Sequence, residues 1–268
     1  MIKIAVPEGM SLTTLVHLSR AGYRPVFDGD RRDGKILGTK DEIIKVRSYD
    51  IPVEVADGCH VGLVGSDWVE ERELELGSQL VETRASFKYG REFNPSNHPT
   101  LDFIARDDSP IESLGDVKPG QIILTEYPNI TKNELAKYGH DVVTYGESRF
   151  MPQEPKLFRD WLKGEGYVGI RVVHGSIAAL VNNHSGALGV MVNETGGTLK
   201  RYNMRVVSNL RDIDIQLIVN PFAMARQSKE REITAFQQKM EEAYESIMLE
   251  FEASTPSPEG VMNGFKER

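Results

Sequence analysis

Strand-length apolar runs alternate along this chain with segments whose apolar residues recur every three or four positions, the pattern of an α/β protein with mainly parallel sheets. Ile2 to Val6 reads as a buried strand ended by Pro7-Glu8-Gly9, and Ser11 is placed to cap a helix carrying Leu12, Leu15, Val16 and Leu18. Val61 to Gly65 is a second short strand, running into the capping pair Ser66-Asp67. Gln121 to Thr125 ends at Glu126-Tyr127-Pro128-Asn129, with a helix expected over 131–138. Gly189 to Val192 ends at Asn193-Glu194-Thr195-Gly196-Gly197-Thr198, and Ile213 to Val219 stops at Asn220-Pro221. From Ile233 on, Phe236, Met240, Ala243, Ile247 and Phe251 keep helical spacing, which predicts an amphipathic helix packed on the body or on a partner subunit.

Two stretches break the alternation. Residues 107–120, with two prolines and two glycines, read as a connection or hinge. Residues 145–169 surround a short amphipathic piece, Phe158, Trp161 and Leu162, with Pro152, Pro155, Gly164 and Gly166, and read as a surface insertion or, alternatively, a lid over a cleft. The tail from Ser254, with Thr-Pro-Ser-Pro, has the composition of a flexible terminus.

Composition narrows the function classes. With 268 residues, the chain forms one large domain or two modest lobes. Forty acidic against 32 basic side chains, a formal net charge of −8, leave no basic face for broad nucleic-acid or anionic-membrane binding, though a small basic pocket remains compatible. One cysteine, Cys59, excludes a disulfide framework and a thiolate zinc cluster, and the six histidines show no ligand spacing. No apolar stretch reaches the roughly 20 residues of a membrane span. The expectation is a cytoplasmic protein.

The segment with most chemistry is Asn193 to Lys200. Adjacent Gly196 and Gly197 allow a tight turn whose N–H groups point inward, and the hydroxyls of Thr195 and Thr198 add donors, a nest suited to a phosphate. Lys200 could supply countercharge, but no Gly-Lys-Ser/Thr follows at the spacing of a nucleotide-triphosphate loop.

Glu194-Thr-Gly-Gly-Thr-Leu-Lys200, followed by Gln216-Leu-Ile-Val-Asn-Pro221, resembles the phosphoribosyl-diphosphate loop and next strand of ATP phosphoribosyltransferases. Ile123-Leu-Thr-Glu-Tyr-Pro-Asn-Ile-Thr131, Asp50-Ile-Pro to Gly65-Ser-Asp67 and Asp108-Ser-Pro-Ile to Leu114 are similar to further segments of that family, in the same order. The resemblance implies two α/β lobes like the type II periplasmic binding proteins, with a cleft between them: lobe one from 1–106 plus 200–252, lobe two from 107–199 with the insertion, and 253–268 as a tail. It implies transfer of a phosphoribosyl group to a purine nucleotide, ATP, at the first step of histidine biosynthesis, with Mg2+ carried by the diphosphate substrate. Its length, short of a C-terminal regulatory domain, implies a homo-oligomer with any feedback control on a separate regulatory subunit.

By the same resemblance Glu194, Thr195, Gly196, Gly197, Thr198 and Leu199 would bind phosphoribosyl diphosphate, and Glu8, Gly9, Arg47, Ser66, Asp67, Tyr127, Gly175 and Ser176 the nucleotide. No catalytic residue is assigned, because such a transfer needs positioning and charge stabilisation rather than a protein nucleophile. The polar lining departs from the family pattern. Glu8 and Met10 stand where the family places cations, Ala187, Met191 and Ala178 where it places acids, and Ile122 where it places a basic residue. A changed acceptor, or a non-catalytic protein binding an anionic small molecule, are the alternatives those departures leave.

Overall fold

The computed structural model describes residues 1–90, 93, 98–147, 151–184 and 186–254, so the expected tail lies outside the described residues apart from Ala253 and Ser254. The chain divides into two compact units, Met1–Gly65 with Leu80–Asn97 and Asp214–Arg268, and Ser66–Gln79 with His98–Ile213. None of the described helices is long and apolar enough to cross a membrane.

The first unit is built on seven strands: β1 (Lys3–Pro7), β2 (Pro25–Phe27), β3 (Asp33–Ile36), β4 (Glu42–Val46), β5 (Val61–Gly65), β6 (Glu82–Phe87) and β13 (Ile215–Val219). They lie in the order β2-β3-β4-β1-β5-β13-β6. The central trio β4, β1 and β5 is parallel, with Pro7 opposite Val46 and Ile4 opposite Val61, whereas β13 runs antiparallel to β5 and β6. Helix α1 (Leu12–Arg20) starts where Ser11 accepts a hydrogen bond from the Thr14 N–H, as the sequence predicts. Helix α2 (Ile51–Asp57) packs directly over Gly62, where an added Cβ would stand 2.7 Å from Val55. After α8 (Pro221–Met224), the terminal helix α9 (Gln227–Ser254) buries Ile233, Phe236, Met240 and Ala243 in this unit's own core, beside Ile4, Leu18 and Leu217, and Ile247 is buried as well. The apolar stripe therefore finds its partner within the chain.

The second unit carries six strands: β7 (Thr100–Arg106), β8 (Ile122–Thr125), β9 (Val142–Thr144), β10 (Val168–Val172), β11 (Ala187–Asn193) and β12 (Met204–Asp212). Their order is β12-β7-β11-β8-β10-β9. Its helices are α3 (Ser66–Leu76), α4 (Pro128–Ala136), α5 (Pro155–Glu165), α6 (Ile177–Asn183) and α7 (Gly197–Arg201). One sheet face buries Ile123, Ile170, Leu188 and Val190 with Ile130 and Leu135 of α4, and the other buries Leu124 and Ala187 with Ile177 and Val181 of α6.

Three sequence expectations are corrected. The boundaries at 106 and 200 fall inside one sheet, because β7 pairs with both β11 and β12 and all three belong to the second unit. Residues 107–120 are not a hinge, since they lie within that unit and bury Ile111, Leu114 and Val117 in its core. Residues 145–169 are not a surface insertion. They hold α5, which joins the parallel strands β9 and β10 and buries Phe158 and Leu162. The helix expected over 131–138 begins three residues earlier, with Pro128 at a position where a missing N–H costs nothing.

Candidate active site

Strands β11, β8 and β10 are parallel neighbours, and Gly189 and Arg171 both stand opposite Leu124. Their carboxyl ends therefore leave the sheet along one edge, each running into a helix, which is where parallel α/β sheets place ligands.

The loop after β11 is a built turn. The Gly196 N–H donates to Asn193 Oδ1 at 3.1 Å, while Asn193 Nδ2 donates to the buried Asp102 at 2.8 Å. Gly196 takes the left-handed conformation, φ 69°, and a Cβ there would meet nothing within 4 Å, so the space beside it is open. Thr195, Gly197 and Thr198 are exposed. Among the described residues, the Gly197 N–H has only a long contact to Thr195 Oγ1 at 3.4 Å, and the N–H groups of Thr195 and Thr198 have no protein acceptor. Leu199 does a different job from the one the sequence suggests: its side chain is buried in the core and anchors the turn. Glu194 is half-buried in the same loop.

The loop after β10 sets two left-handed residues in succession, Gly175 at φ 69° and Ser176 at φ 55°. Ser176 starts α6 without a side-chain cap bond and leaves its hydroxyl exposed. A non-glycine residue there stores roughly 1 kcal/mol of strain. Gly175 N–H donates to Glu126 Oε1 at 2.6 Å, so the acid at the end of β8 braces the β10 loop. Sequence reading had named Glu126 only as part of a turn, because its partner is far away in the chain.

Tyr127 turns inward instead. Its hydroxyl donates to Asp67 Oδ2 at 2.6 Å and its ring packs on Trp68 at 4.3 Å. Tyr127 and Asp67 are buried, 2% and 3% exposed, and the Tyr127 hydroxyl is committed to Asp67 Oδ2 rather than offered to a nucleotide. Burial raises the Asp67 carboxyl above its usual range against the opposing Tyr127 hydrogen bond, and burial followed by the Asp67 charge raises the Tyr127 phenol. One turn along α3, buried Glu71 accepts from the N–H groups of Asn129 and Ile130, each at 2.9 Å, and so caps α4 from outside.

In the first unit, Glu8 and Arg47 follow the paired strand ends Pro7 and Val46, and the Glu8 N–H donates to the Val46 carbonyl at 2.8 Å. Glu8 is paired: Arg32 Nη2 lies 2.7 Å from its Oε1, a cation that the sequence reading did not connect with this edge. Gly9 is exposed with open space around it. Arg47 is exposed and, among the described residues, its guanidinium has no ion pair or hydrogen-bond partner. Ser66 follows Gly65, the last residue of β5, and opens α3. No group of three or more His, Cys, Asp or Glu converges as a metal site among the described residues.

The profile of the ATP phosphoribosyltransferase family (HisG) matches residues 47–242, most of the chain and all three carboxyl-edge loops after β8, β10 and β11. The chain belongs to this family. An ATP phosphoribosyltransferase of Methanothermobacter thermautotrophicus is 29% identical over 191 residues, covering 70% of this chain and 52% of that protein. One from Thermococcus gammatolerans is 27% identical over 220 residues, covering 82% and 87%. The chain spans about half the length of the Methanothermobacter relative and of one from Methanococcus maripaludis, 52% and 46%. In fold it is similar to the chain of an ATP phosphoribosyl transferase (HisG:HisZ) complex from Thermotoga maritima, with a TM-score of 0.62, 20% identity, and coverage of 92% and 100%. The periplasmic aliphatic sulphonate binding protein SsuA from Escherichia coli shares the fold at a TM-score of 0.51 and 11% identity, covering 89% and 72%. This α/β fold of the ATP phosphoribosyltransferases and type II periplasmic binding proteins is the one implied by the ordered sequence segments.

Proposed function

We propose that this chain transfers the phosphoribosyl group of phosphoribosyl diphosphate to a purine nucleotide, ATP, the first step of histidine biosynthesis. The observation that supports the reading most strongly is the loop after β11, an exposed turn around left-handed Gly196 in which, among the described residues, the N–H groups of Thr195 and Thr198 have no protein acceptor and the Thr195 hydroxyl has only a long contact from Gly197. Such a turn suits the 5′-phosphate of the sugar, with exposed Lys200 adding positive charge. A purine nitrogen attacks the anomeric carbon, the carbon–oxygen bond to diphosphate breaks, and diphosphate leaves with its magnesium. The chain's share is to hold the sugar phosphate and acceptor in line and to stabilise charge at the departing group. Ser176 and Glu126 line the same sheet edge of the second unit, and by the family resemblance Glu8, Gly9 and Arg47 are assigned to the nucleotide.

The neighbouring Thermotoga maritima structure is a HisG:HisZ complex, which supports assembly of this chain with a separate regulatory subunit. The Glu8–Arg32 pair favours a second reading, a changed acceptor, because it neutralises a cation where a polyphosphate would need one.

Phosphoribosyl diphosphate labelled in its diphosphate tests both readings. Release of label with ATP is the expected result. Release only with another purine acceptor would give the second reading its place, and no release with any acceptor would overturn both.

A further inference from the structure

In β8, β10 and β11, Ile122, Leu124, Gly169, Arg171, Ala187 and Gly189 share one sheet face, since Ile122 stands opposite Gly169 and Ala187 and Leu124 opposite Arg171 and Gly189. Two helices press onto this face at its glycines. A Cβ on Gly169 would stand 2.6 Å from Leu162 and 3.2 Å from Phe158 of α5, and a Cβ on Gly189 would stand 2.8 Å from Ile177 and 3.0 Å from Val181 of α6. Each glycine draws its helix close to an outer strand. The strip over β8 between the helices stays open.

The opening is a cavity of about 130 Å³, floored by Ile122, Leu124 and Ala187 and walled by Tyr145 and Phe158. Arg159, Arg171 and His184 also line it, and among the described residues no acid does. Among the described residues neither arginine has an ion-pair or hydrogen-bond partner. None of the lining residues belongs to the loops after β8, β10 and β11. The volume is slightly below the roughly 150 Å³ of a cavity that holds one benzene ring, which limits the occupant to a single ring with its polar group at the arginine-lined mouth, and aromatic walls favour a flat ring. A guanidinium, with its fork of N–H donors, matches a carboxylate.

We propose that this cavity is a binding site for a small aromatic carboxylate, the ring over Ile122 and Leu124 and the carboxylate on Arg159 and Arg171. The site is made by this chain's own β9–α5–β10 stretch and is independent of the phosphoribosyl assignment. Its occupant also touches His184, immediately after the last residue of α6, whose other end carries Ser176.

The test is a titration of the whole chain with benzoate, followed by the methyl NMR signals of Ile122, Leu124 and Ala187. Saturable shifts confined to these methyls are expected. Losing one charge-assisted contact weakens binding by roughly tenfold or more, so benzyl alcohol, Arg159→Gln and Arg171→Gln should each do so. Arg159 is half-buried and Arg171 exposed, which leaves both variants folded. Ala187→Leu, filling the floor, should abolish the shifts. Absence of saturation, shifts at other methyls, equal affinity in Arg159→Gln with Arg171→Gln, or inorganic phosphate binding as well as benzoate would each overturn the proposal.

Discussion

The Tyr127 hydroxyl lies 2.6 Å from Asp67 Oδ2, joining the start of α4 to the start of α3 inside the second unit. Among the described residues Asp67 Oδ1 has no hydrogen-bond partner, so the Tyr127 hydroxyl is the side-chain donor to this buried carboxyl.

Tyr127→Phe would strip that donor and leave the carboxyl unpaired, at a cost of about 1–3 kcal/mol. Urea unfolding should show the loss, while KM for ATP stays within about twofold, because neither polar group faces solvent. A large rise in KM with unchanged stability would return Tyr127 to the nucleotide site.

His17 makes the first unit acid-sensitive. Its ring is buried, with Nε2 2.7 Å from the Met240 carbonyl and Nδ1 3.1 Å from the Tyr89 hydroxyl, and burial lowers its pKa from 6.5 to about 4. Above pH 6.5 both folded and unfolded chains hold a neutral ring. Between 6.5 and 4 only the unfolded chain takes up the proton, so stability falls with falling pH, by about 3 kcal/mol once both states are protonated. His17→Gln should flatten this part of the stability curve measured from pH 7.5 to 5; an unchanged slope would place the acid sensitivity elsewhere.

Gly196→Val tests the phosphate turn with little packing disturbance. No atom stands within 4 Å of the new Cβ, so the variant carries only backbone strain of about 1–2 kcal/mol. Calorimetry with phosphoribosyl diphosphate should show binding reduced at least about tenfold with the fold retained by circular dichroism. Unchanged affinity would mean that the cradle lies in another loop.

Arg47 should separate function from stability. With no described partner to lose, Arg47→Gln should alter stability by less than about 0.5 kcal/mol. In steady-state kinetics it should raise KM for the nucleotide more than KM for phosphoribosyl diphosphate. Equal rises, or none, would remove Arg47 from acceptor binding.

Much of this molecule is legible locally. Ile2 to Val6, Val61 to Gly65 and the stripe from Ile233 to Ile247 reveal their elements because apolar spacing reports burial directly, and Gly196 and Gly197 mark the turn after β11 because paired glycines act within one loop. The role of α5 was hidden, since its prolines and glycines mark its ends as readily as those of an insertion.

Sequence alone determined the α/β class and the positions of the strand-end loops, set by spacing over a few residues, and pointed to the family through the resemblance of its ordered segments. Tertiary structure decided which polar groups remain available. The Tyr127 hydroxyl meets Asp67 Oδ2, Glu126 reaches Gly175, and Glu8 meets Arg32, while Arg47 has no charge partner among the described residues. These outcomes depend on side-chain directions and distances between strands far apart in the chain, and a hydrogen bond weakens steeply when that geometry is missed.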